Sequence, residues 1–448
     1  MSIIFELADI IKDCEVKAYS LLEKVSKTPI SNEIVQRSLN DKNVDNLLYH
    51  GDNIDAILDL IVRGFKGKID LIYIDPPFFT MANYNNRVEL NYLGEKKIIE
   101  YKAYTDTYKG GFREYIEMVT IRLFLMKELL SDKGSIYVHI DFRTVHYIKI
   151  IMDYIFGLDN FLNEVIWSYK SGGTSKKHYS RKHDNILVYS KTKNYIFNPQ
   201  KEKSYNRGFK PYKFKGVMEY QDDIGWYTLV NLKDVWQIDM VGRTSRERLG
   251  YDTQKPESLL ERIILTSTNE DSIVADFFSG SGTTIAVAEK NNRRWIGADC
   301  GNSSILTIMK RMGKIKSKPF EKISLMNKPS IGTIRIRSVS YEILSNNEYK
   351  IKVKLDDFHI NLEQLNINKK DIELISNILE NDSISLIDYI NVSFGNNTAI
   401  IVYEDFKDKD ASNIQTDFDF IIDSLEEKIC INIIDVFGNA TQEDIKIL

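Results

Sequence analysis

Cysteine is scarce in this chain of 448 residues, which contains only Cys14, Cys300 and Cys430. The three lie far apart, without a CxxC pair or a His-rich partner, which argues against a disulfide framework and against a metal site. No run approaches the roughly 18 apolar residues that a membrane-spanning helix needs, and the charged N-terminus predicts a helix instead of a signal peptide. We therefore expect a cytoplasmic protein with no membrane partner.

The net charge is small, at −4, but it is unevenly distributed. Residues 341–448 contain 9 Lys or Arg and 22 Asp or Glu, which gives −13 and leaves +9 for residues 1–340. Residues 167–215 are strongly basic, with 13 Lys or Arg against Asp184 and Glu202. The front of the chain can therefore contact a polyanion. For the acidic end we expect dimerisation, the binding of a partner subunit, or the covering of the core domain.

The pattern of apolar residues divides the chain into five parts. Residues 1–45 are predicted to form a helical segment. Residues 46–166 and 251–315 alternate short apolar strands with amphipathic helices, which predicts βαβ units around a parallel sheet. Residues 167–250 interrupt this pattern with Tyr, Lys, Gly and Ser and weak periodicity. Residues 316–448 alternate apolar and polar side chains, which predicts a small β-rich module.

The sequence LIYIDPPFFT at 71–80 places a carboxylate at the end of an apolar strand. Neither Pro76 nor Pro77 has an N–H for the sheet, so the strand must end at Asp75. The Asp75 carboxylate and a proline carbonyl are two acceptors suited to a planar amino group, and Phe78 offers a ring on which a base can stack. The alternative is a proline-rich strand exit with a capping aspartate.

The sequence DFFSGSGTT at 276–284 predicts a glycine-rich turn between a strand and a helix. It matches neither the GxGxxG loop nor the GxxxxGK[ST] loop, because no lysine follows the second glycine. Gly280 and Gly282 still let a ligand approach the backbone at the start of the next helix. About twenty residues later, Asp299 ends a strand where an acid can accept both hydroxyls of a ribose. The alternative is a tight turn without a ligand and a solvent-facing acid.

Together, DPPF at 75–78 and FSGSGTT at 278–284 resemble the motifs [D/N/S]PP[Y/F/W] and FxGxG of S-adenosylmethionine-dependent DNA amino-methyltransferases. The catalytic motif precedes the cofactor loop, which is similar to the beta class, whose sheet is circularly permuted. Further stretches within 46–315 agree: GDN, GSIYVHID, NEVIWSY, HDNILVYSK, TQKP and RWIGAD. The chain looks especially similar to the modification subunits of type III restriction–modification systems and to stand-alone N6-adenine methylases.

This resemblance implies a Rossmann-like α/β fold with a permuted, mostly parallel sheet, an inserted target-recognition region at 167–250 and a small β-rich C-terminal module. It implies that Asp75, Pro76, Pro77 and Phe78 are catalytic. The cofactor-binding residues that it implies are Asp52, Asn53, Thr253, Lys255, Asp276, Phe277, Gly280, Gly282, Thr283 and Asp299. Among these, Asp52 would contact the adenine, Asp299 the ribose, and Thr253 and Lys255 the carboxylate of S-adenosylmethionine. The alternative for Lys255 is a surface lysine before a helix-starting proline.

The recognition region contains the basic residues that we expect at DNA phosphates, namely Lys170, Lys176, Lys177, Arg181 and Lys182. Phosphate contacts carry no sequence information, so the recognition site cannot be derived from them. The alternative is a solvated basic loop. Many relatives have Tyr where Phe78 stands, so stacking alone must hold the base here.

We therefore predict a site-specific DNA methyltransferase that transfers a methyl group in line from S-adenosylmethionine to N6 of a flipped adenine. Asp instead of Ser before the prolines favours adenine, and N4 of cytosine is the alternative. No Pro-Cys pair occurs, which argues against covalent C5-cytosine chemistry. A non-catalytic DNA-binding protein, or methylation of RNA or protein, are the other hypotheses. The expected partners are double-stranded DNA, a second copy in a homodimer and a restriction subunit.

Overall fold

The computed structural model describes residues 3–24, 31–35, 44–326, 331–345, 348–365, 367–395, 400–408, 411–425 and 428–445. The α-helices are α1 (Ile3–Glu23), α2 (Asn53–Val62), α3 (Gly111–Leu129), α4 (Val145–Phe156), α5 (Glu257–Ser267), α6 (Thr283–Lys290), α7 (Asn302–Lys314) and α8 (Lys369–Asn381). The strands are β1 (Ser31–Val35), β2 (Asn46–His50), β3 (Ile69–Ile74), β4 (Asn83–Tyr92), β5 (Glu95–Thr105), β6 (Leu130–Ile140), β7 (Phe161–Ser168), β8 (His183–Ser190), β9 (Lys201–Tyr205), β10 (Glu219–Gln221), β11 (Trp226–Asn231), β12 (Val235–Gln237), β13 (Ile273–Asp276), β14 (Arg294–Asp299), β15 (Phe320–Ser324), β16 (Gly332–Ser345), β17 (Glu348–Ile360), β18 (Ile387–Phe394), β19 (Ile400–Phe406), β20 (Asp417–Ile422), β21 (Ile429–Asp435) and β22 (Ala440–Ile445). Across these described ranges, no helix combines the length and apolar character needed to cross a membrane.

A ten-stranded sheet forms the centre of the molecule, in the order β1-β15-β2-β14-β13-β3-β6-β8-β7-β12. The strands from β15 to β6 run parallel to their neighbours, whereas β8 is antiparallel to both β6 and β7. β3 and β13 pair directly, with Leu71 opposite Val274. Because parallel strands end at the same edge, the DPPF motif and the glycine-rich turn meet there. The predicted α/β fold with a mostly parallel sheet is confirmed.

Helices cover both faces of this sheet, which explains why its central strands are apolar throughout. Alternate residues of β3 point to opposite faces: Ile72 and Ile74 pack with residues of α1 to α4, whereas Leu71 and Tyr73 pack with residues of α5 to α7. Both faces of β3 are thus buried, and only its carboxyl end can present side chains to a ligand.

The region predicted for target recognition, residues 167–250, is partly continuous with the large sheet. β8 and β12 belong to that sheet, while β9, β10 and β11 form a small antiparallel sheet of their own. Trp236 in β12 packs in the same core as Tyr73. The strands β8 and β12 thus anchor the region from 167 to 250 on the scaffold that carries the candidate site.

A hairpin of β4 and β5, which we call the arm (residues 83–105), was not predicted. It follows the DPPF motif directly and turns at Leu93 and Gly94, both with positive φ. Leu90 and Ile99 are buried in one core with side chains of the C-terminal module, and the Tyr92 hydroxyl donates to the Asn377 carbonyl at 3.2 Å. The arm thus joins the segment after the DPPF motif to the C-terminal module.

The C-terminal module consists of two antiparallel sheets, β16-β17-β20 and β19-β18-β21-β22, with α8 beside them. Its predicted β-rich character is confirmed. One strand of the range 316–448 differs from the prediction, because β15 belongs to the large sheet, parallel to β2.

The N-terminal segment differs from the helix predicted for residues 1–45. The helix α1 ends at Glu23, and Ser31–Val35 is a strand that pairs with β15. An apolar pair, Ile34 and Val35, suits a strand, and β15 would otherwise be the open edge of the sheet. The predictions for residues 25–30 and 36–43 lie outside the described part of the chain.

Candidate active site

Asp75 lies where β3 leaves the sheet. Its carboxylate Oδ2 forms an ion pair with Nζ of Lys255. Its Oδ1 is buried and has no hydrogen-bond partner among the residues that the structure describes. A buried acceptor without a donor costs free energy, and Asp75 lines a candidate ligand cavity. The atom is therefore suited to accept an N–H from a ligand.

Phe78 is half-buried beside Asp75 and lines the same cavity. Its ring lies 5.9 Å from the His139 ring, centroid to centroid, at 32°. Nζ of Lys255 is 5.6 Å from the Phe78 centroid, within the range of a cation–π contact. The ring is thus held by two neighbours and can offer an apolar surface to a base.

Asp106 fixes the segment that follows the DPPF motif. One carboxylate oxygen accepts the Phe79 N–H at 3.2 Å, and the other accepts the Thr80 N–H at 2.6 Å and the Thr80 hydroxyl at 2.8 Å. Phe79 is held at φ 59, a conformation that is unfavourable for a bulky residue. Sequence reasoning missed Asp106, because its partners are 26 and 27 residues away and only the arm brings them together.

The turn between β13 and α6 depends on Gly280 and Gly282, whose φ angles are 49 and 71. The Gly280 N–H donates to Oδ2 of Asp299 at 2.8 Å, which ties the turn to the next strand. A Cβ added at Gly282 would lie 2.7 Å from Cγ1 of Ile308. Position 282 therefore requires glycine for packing, whereas Gly280 lines the cavity.

Asp299 and Asp276 are the two acids nearest this turn. Oδ1 of Asp299 accepts the Gly301 N–H at 2.8 Å; each carboxylate oxygen has further lone pairs, so a ribose hydroxyl can still donate to it. Asp276 accepts the Phe278 N–H at 3.0 Å and the Thr284 hydroxyl at 2.5 Å. Both oxygens of Asp276 therefore stabilise the turn itself.

Burial raises the pKa of Asp276 to about 7, although its two hydrogen bonds oppose this change. The negative charges of Asp75 and Asp299 raise that pKa further. The pKa of Asp299 is also raised, mainly by burial, against the hydrogen bonds from Gly301 and Gly280. The site therefore concentrates acidic groups that disfavour one another's charge.

Asp52 and Asn53 lie at the start of α2, held by an arginine that sequence reasoning missed. Asp52 caps the helix by accepting the Ile54 N–H at 2.7 Å. Arg122 in α3 donates to Asp52 at 3.1 Å and to Oδ1 of Asn53 at 2.5 Å. Asn53 in turn donates to the Phe277 carbonyl at 2.9 Å. Nothing in the sequence around Arg122 marks it, because its role depends on how α3 packs beside α2.

The remaining predicted cofactor residues surround Lys255. Thr253 lines the cavity. The Thr283 hydroxyl donates to the Lys255 carbonyl at 3.2 Å, and Arg311 donates to Thr283 at 2.9 Å. Phe277 is buried in the apolar core, so mainly its backbone serves the site. An ammonium group has three donors, so the pair with Asp75 leaves Lys255 free to bind a second carboxylate.

A cavity of about 370 Å³ brings these residues together, a size typical of small-molecule sites. Its lining includes all four residues of the DPPF motif and every predicted cofactor residue except Gly282. Five aspartates line it against two cations, Arg122 and Lys255; the aspartates are Asp52, Asp75, Asp106, Asp276 and Asp299. An acidic wall favours a cationic ligand. S-adenosylmethionine, with a sulfonium and an ammonium group against one carboxylate, therefore fits the residues present.

The five basic residues predicted to contact DNA occupy the loop between β7 and β8. Lys176 and Lys177 are exposed, and Lys170 is 92% exposed, with Asp239 3.8 Å away. Lys182 is bound to its own loop, since its Nζ donates to the carbonyls of Ser171 and Gly172. Arg181 lies over the Phe142 ring, 3.9 Å from the centroid. Four of the five thus remain available at the surface, and Lys182 shapes the loop.

Asp276 gives a prediction for stability. Its pKa is about 7 in the folded chain against a usual value of 3.8, so between these values the folded state retains a proton that the unfolded state releases. Unfolding should therefore become easier as pH rises through this window, by up to about 1.4 kcal/mol per pH unit. Asp276→Asn, which resembles the protonated acid, should lack this contribution. Urea unfolding of both proteins from pH 5 to 8 measures the difference, and a pH-independent difference would contradict the assignment.

Comparison with known proteins agrees with the resemblance read from the motifs. Residues 69–310, more than half of the chain, match the N6_N4_Mtase family, described as DNA methylase. The type II methyltransferase M.EcaI of Enterobacter cloacae is 26% identical over 385 residues, which cover 72% of this chain and 80% of that protein. The DNA adenine methyltransferase YhdJ of Escherichia coli K12 is 26% identical, over 66% of this chain and 92% of that protein.

Among solved structures, the M1.HpyAVI complex with SAM is similar at a TM-score of 0.40 and 19% identity. The match covers 62% of this chain and 98% of that one.

Proposed function

The chain belongs to the N6/N4 DNA methylase family, and from this premise we propose that it methylates N6 of adenine in double-stranded DNA at specific sites. Methyl transfer to DNA from S-adenosylmethionine is the reaction of the family. The observation that carries the assignment is the buried Oδ1 of Asp75, which has no partner among the described residues and lines a cavity shared with the glycine-rich turn. Adenine is favoured by Asp before the two prolines and by the similarity to an adenine methyltransferase.

S-adenosylmethionine, when bound, supplies a methyl group activated by a positively charged sulfur. In our proposal Asp299 accepts the ribose hydroxyls, the backbone of the turn at Gly280 borders the methionine part, and Lys255 pairs with the carboxylate. Asp52, fixed by Arg122, lies at the adenine end. The excess of acidic side chains stabilises the cationic donor electrostatically.

The residues of the DPPF motif make the target amine reactive. An exocyclic amine is a poor nucleophile, because its lone pair is delocalised into the base. Asp75 Oδ1 and the Pro76 carbonyl accept its two N–H bonds, which orients the nitrogen lone pair towards the methyl group. S-adenosylmethionine bound in the cavity would supply its methyl group to this nitrogen and leave as the neutral thioether, and the amine would release one proton to water. Leaving the duplex costs the base a few kcal/mol, and stacking on Phe78 offsets part of this cost.

For the region 167–250 we propose target recognition, with Lys170, Lys176, Lys177 and Arg181 at phosphates and Lys182 holding their loop. The exposure of the four phosphate-contacting residues and the hydrogen bonds from Lys182 to its own loop support these roles. By the resemblance to the beta class we propose a homodimer, and by the similarity to type III modification subunits a separate restriction subunit, as partners. A cytoplasmic location, where prokaryotic DNA lies, completes the proposal.

The reaction is tested by incubating the protein with unmethylated double-stranded DNA and S-adenosylmethionine carrying a labelled methyl group. After digestion to nucleosides, mass spectrometry should find the label in N6-methyladenine. Label in N4-methylcytosine would assign the alternative base. Label only in RNA or in protein, offered in parallel, would contradict the proposal, and a protein that binds DNA without transferring label would be a non-catalytic member of the family.

A further inference from the structure

A chain of four polar side chains, buried at Tyr73 and His139 and half-buried at Asp184 and Tyr169, connects the catalytic strand to the proposed recognition region. The Tyr73 hydroxyl lies 2.8 Å from Nδ1 of His139, Nε2 of His139 lies 3.3 Å from Oδ2 of Asp184, and Oδ1 of Asp184 accepts the Tyr169 hydroxyl at 3.1 Å. Tyr73 is two residues before Asp75. Asp184 and Tyr169 flank the basic loop, in which lie the residues proposed to contact DNA.

The neighbours of each group in this chain determine whether it donates or accepts a hydrogen bond. A carboxylate only accepts hydrogen bonds, so Nε2 of His139 carries the hydrogen that faces Asp184. In the tautomer that carries its hydrogen on Nε2, Nδ1 accepts the hydroxyl hydrogen of Tyr73. Although burial opposes its charge, the hydrogen bond from His139 helps to lower the pKa of Asp184, which agrees with an ionised acceptor. The chain is therefore satisfied from one end to the other, and losing one member leaves a buried group unpaired.

The His139 ring is also close to two aromatic rings. Phe78, the proposed stacking surface, is 5.9 Å away between centroids. Trp167 is 5.3 Å away and nearly perpendicular at 88°. Trp167 donates to the Ile238 carbonyl at 2.8 Å, directly after β12. His139 is fully buried, so it cannot touch DNA or cofactor itself.

We propose that His139 is a positioning residue. Through Tyr73, Asp184 and Tyr169 it holds the Phe78 ring at a fixed position relative to the proposed recognition region. The inference rests on the proposed DNA methyl transfer, but not on which base is modified. When the basic loop holds the DNA, the flipped base therefore reaches a Phe78 ring whose position relative to that loop is fixed. A small shift of this surface would slow methyl transfer without weakening the binding of the cofactor.

The chain offers a closely matched control for a merely structural role. Tyr137 is the direct neighbour of Tyr73 in the sheet, and both are buried. The Tyr137 hydroxyl also makes one buried 2.8 Å hydrogen bond, but to Ser267, which is outside the chain of four. Tyr73→Phe and Tyr137→Phe therefore remove the same atom and the same kind of bond, and only the first removes a hydrogen bond to His139. Because Tyr73 also lines the cavity, the loss of rate must recur in Tyr169→Phe, whose side chain is outside that lining.

The test measures single-turnover methyl transfer with saturating protein and cofactor, together with cofactor affinity and thermal unfolding. We expect His139→Gln and Tyr73→Phe to slow transfer by about 10- to 100-fold with unchanged cofactor affinity. Tyr137→Phe should lower the unfolding temperature as much as Tyr73→Phe but leave the rate unchanged. Equal rates for the two tyrosine variants would overturn the proposal.

Two further measurements keep the test decisive. If His139→Gln does not fold, Tyr169→Phe, at the half-buried end of the chain, should still slow transfer, and an unchanged rate there would also overturn the proposal. The double variant His139→Gln/Asp184→Asn should be no slower than the slower single variant, because each single variant already disrupts the connection between residues 139 and 184. Additive losses in the double variant would contradict the proposal. Failure of the wild-type protein to label DNA would instead refute the proposed function.

Discussion

Replacement of Asp75 by alanine is expected to lower the rate of methyl transfer to DNA by at least about 10³-fold, while S-adenosylmethionine still binds. The variant loses the buried acceptor that orients the target amine, and that contact matters most as the nitrogen develops its bond to the methyl carbon. It also frees Nζ of Lys255, which is paired with Asp75 in the wild-type protein. Lys255 can then pair fully with the cofactor carboxylate, which offsets the loss of one acidic group beside the cationic cofactor, so the affinity for the cofactor should stay near the wild-type value.

Asp252→Ala is a control for this variant, since it removes a carboxylate from the same segment as Lys255. The Asp252 side chain is 74% exposed, and its nearest cation, Arg248, is 3.8 Å away. Transfer and cofactor binding should both stay at the wild-type level. The two proteins are compared by single-turnover labelling of DNA and by calorimetric titration with the cofactor. Turnover retained by Asp75→Ala, or cofactor binding lost with it, would contradict the proposed role.

The elements around the two motifs could be predicted because their signals are local. Two prolines after an apolar run predict a strand end at Asp75, and two glycines after another run predict the turn at Gly280 and Gly282. The pairing of β3 with β13, which brings them together, is a long-range contact. That contact was expected only through the family resemblance, since no local pattern specifies strand order.

Residues that act through tertiary contacts could not be predicted from the sequence. Asp106 clamps the backbone at Phe79 and Thr80 only because the arm folds back, and Arg122 reaches Asp52 only because α3 packs near α2. The arm itself had a readable signal, namely alternating apolar residues on both sides of Leu93-Gly94. No local sequence pattern indicated that the C-terminal module buries the arm.

Gly282→Ala is expected to destabilise the fold by about 2 to 5 kcal/mol and to lower cofactor affinity with it. The residue is left-handed at φ 71, and its Cβ would lie 2.7 Å from Cγ1 of Ile308, a buried side chain of α7. Since Gly282 begins α6, relief of this clash must move either the turn or α7. Either movement disturbs the hydrogen bond between Gly280 and Asp299 on which the shape of the turn depends. Urea unfolding and calorimetric titration measure the two losses.

Gly280→Ala separates backbone strain from the clash. Its φ of 49 carries the same left-handed cost, about 1 to 2 kcal/mol, but its nearest neighbour would be Cε1 of Tyr251 at 3.5 Å, an ordinary contact. The difference between the two variants is therefore the steric contribution of Ile308. In the double variant Gly282→Ala/Ile308→Ala that contribution should disappear, so the combined loss should be smaller than the sum of the single losses. Equal destabilisation by Gly280→Ala and Gly282→Ala would mean that α7 yields freely, and that position 282 requires glycine only for its backbone conformation.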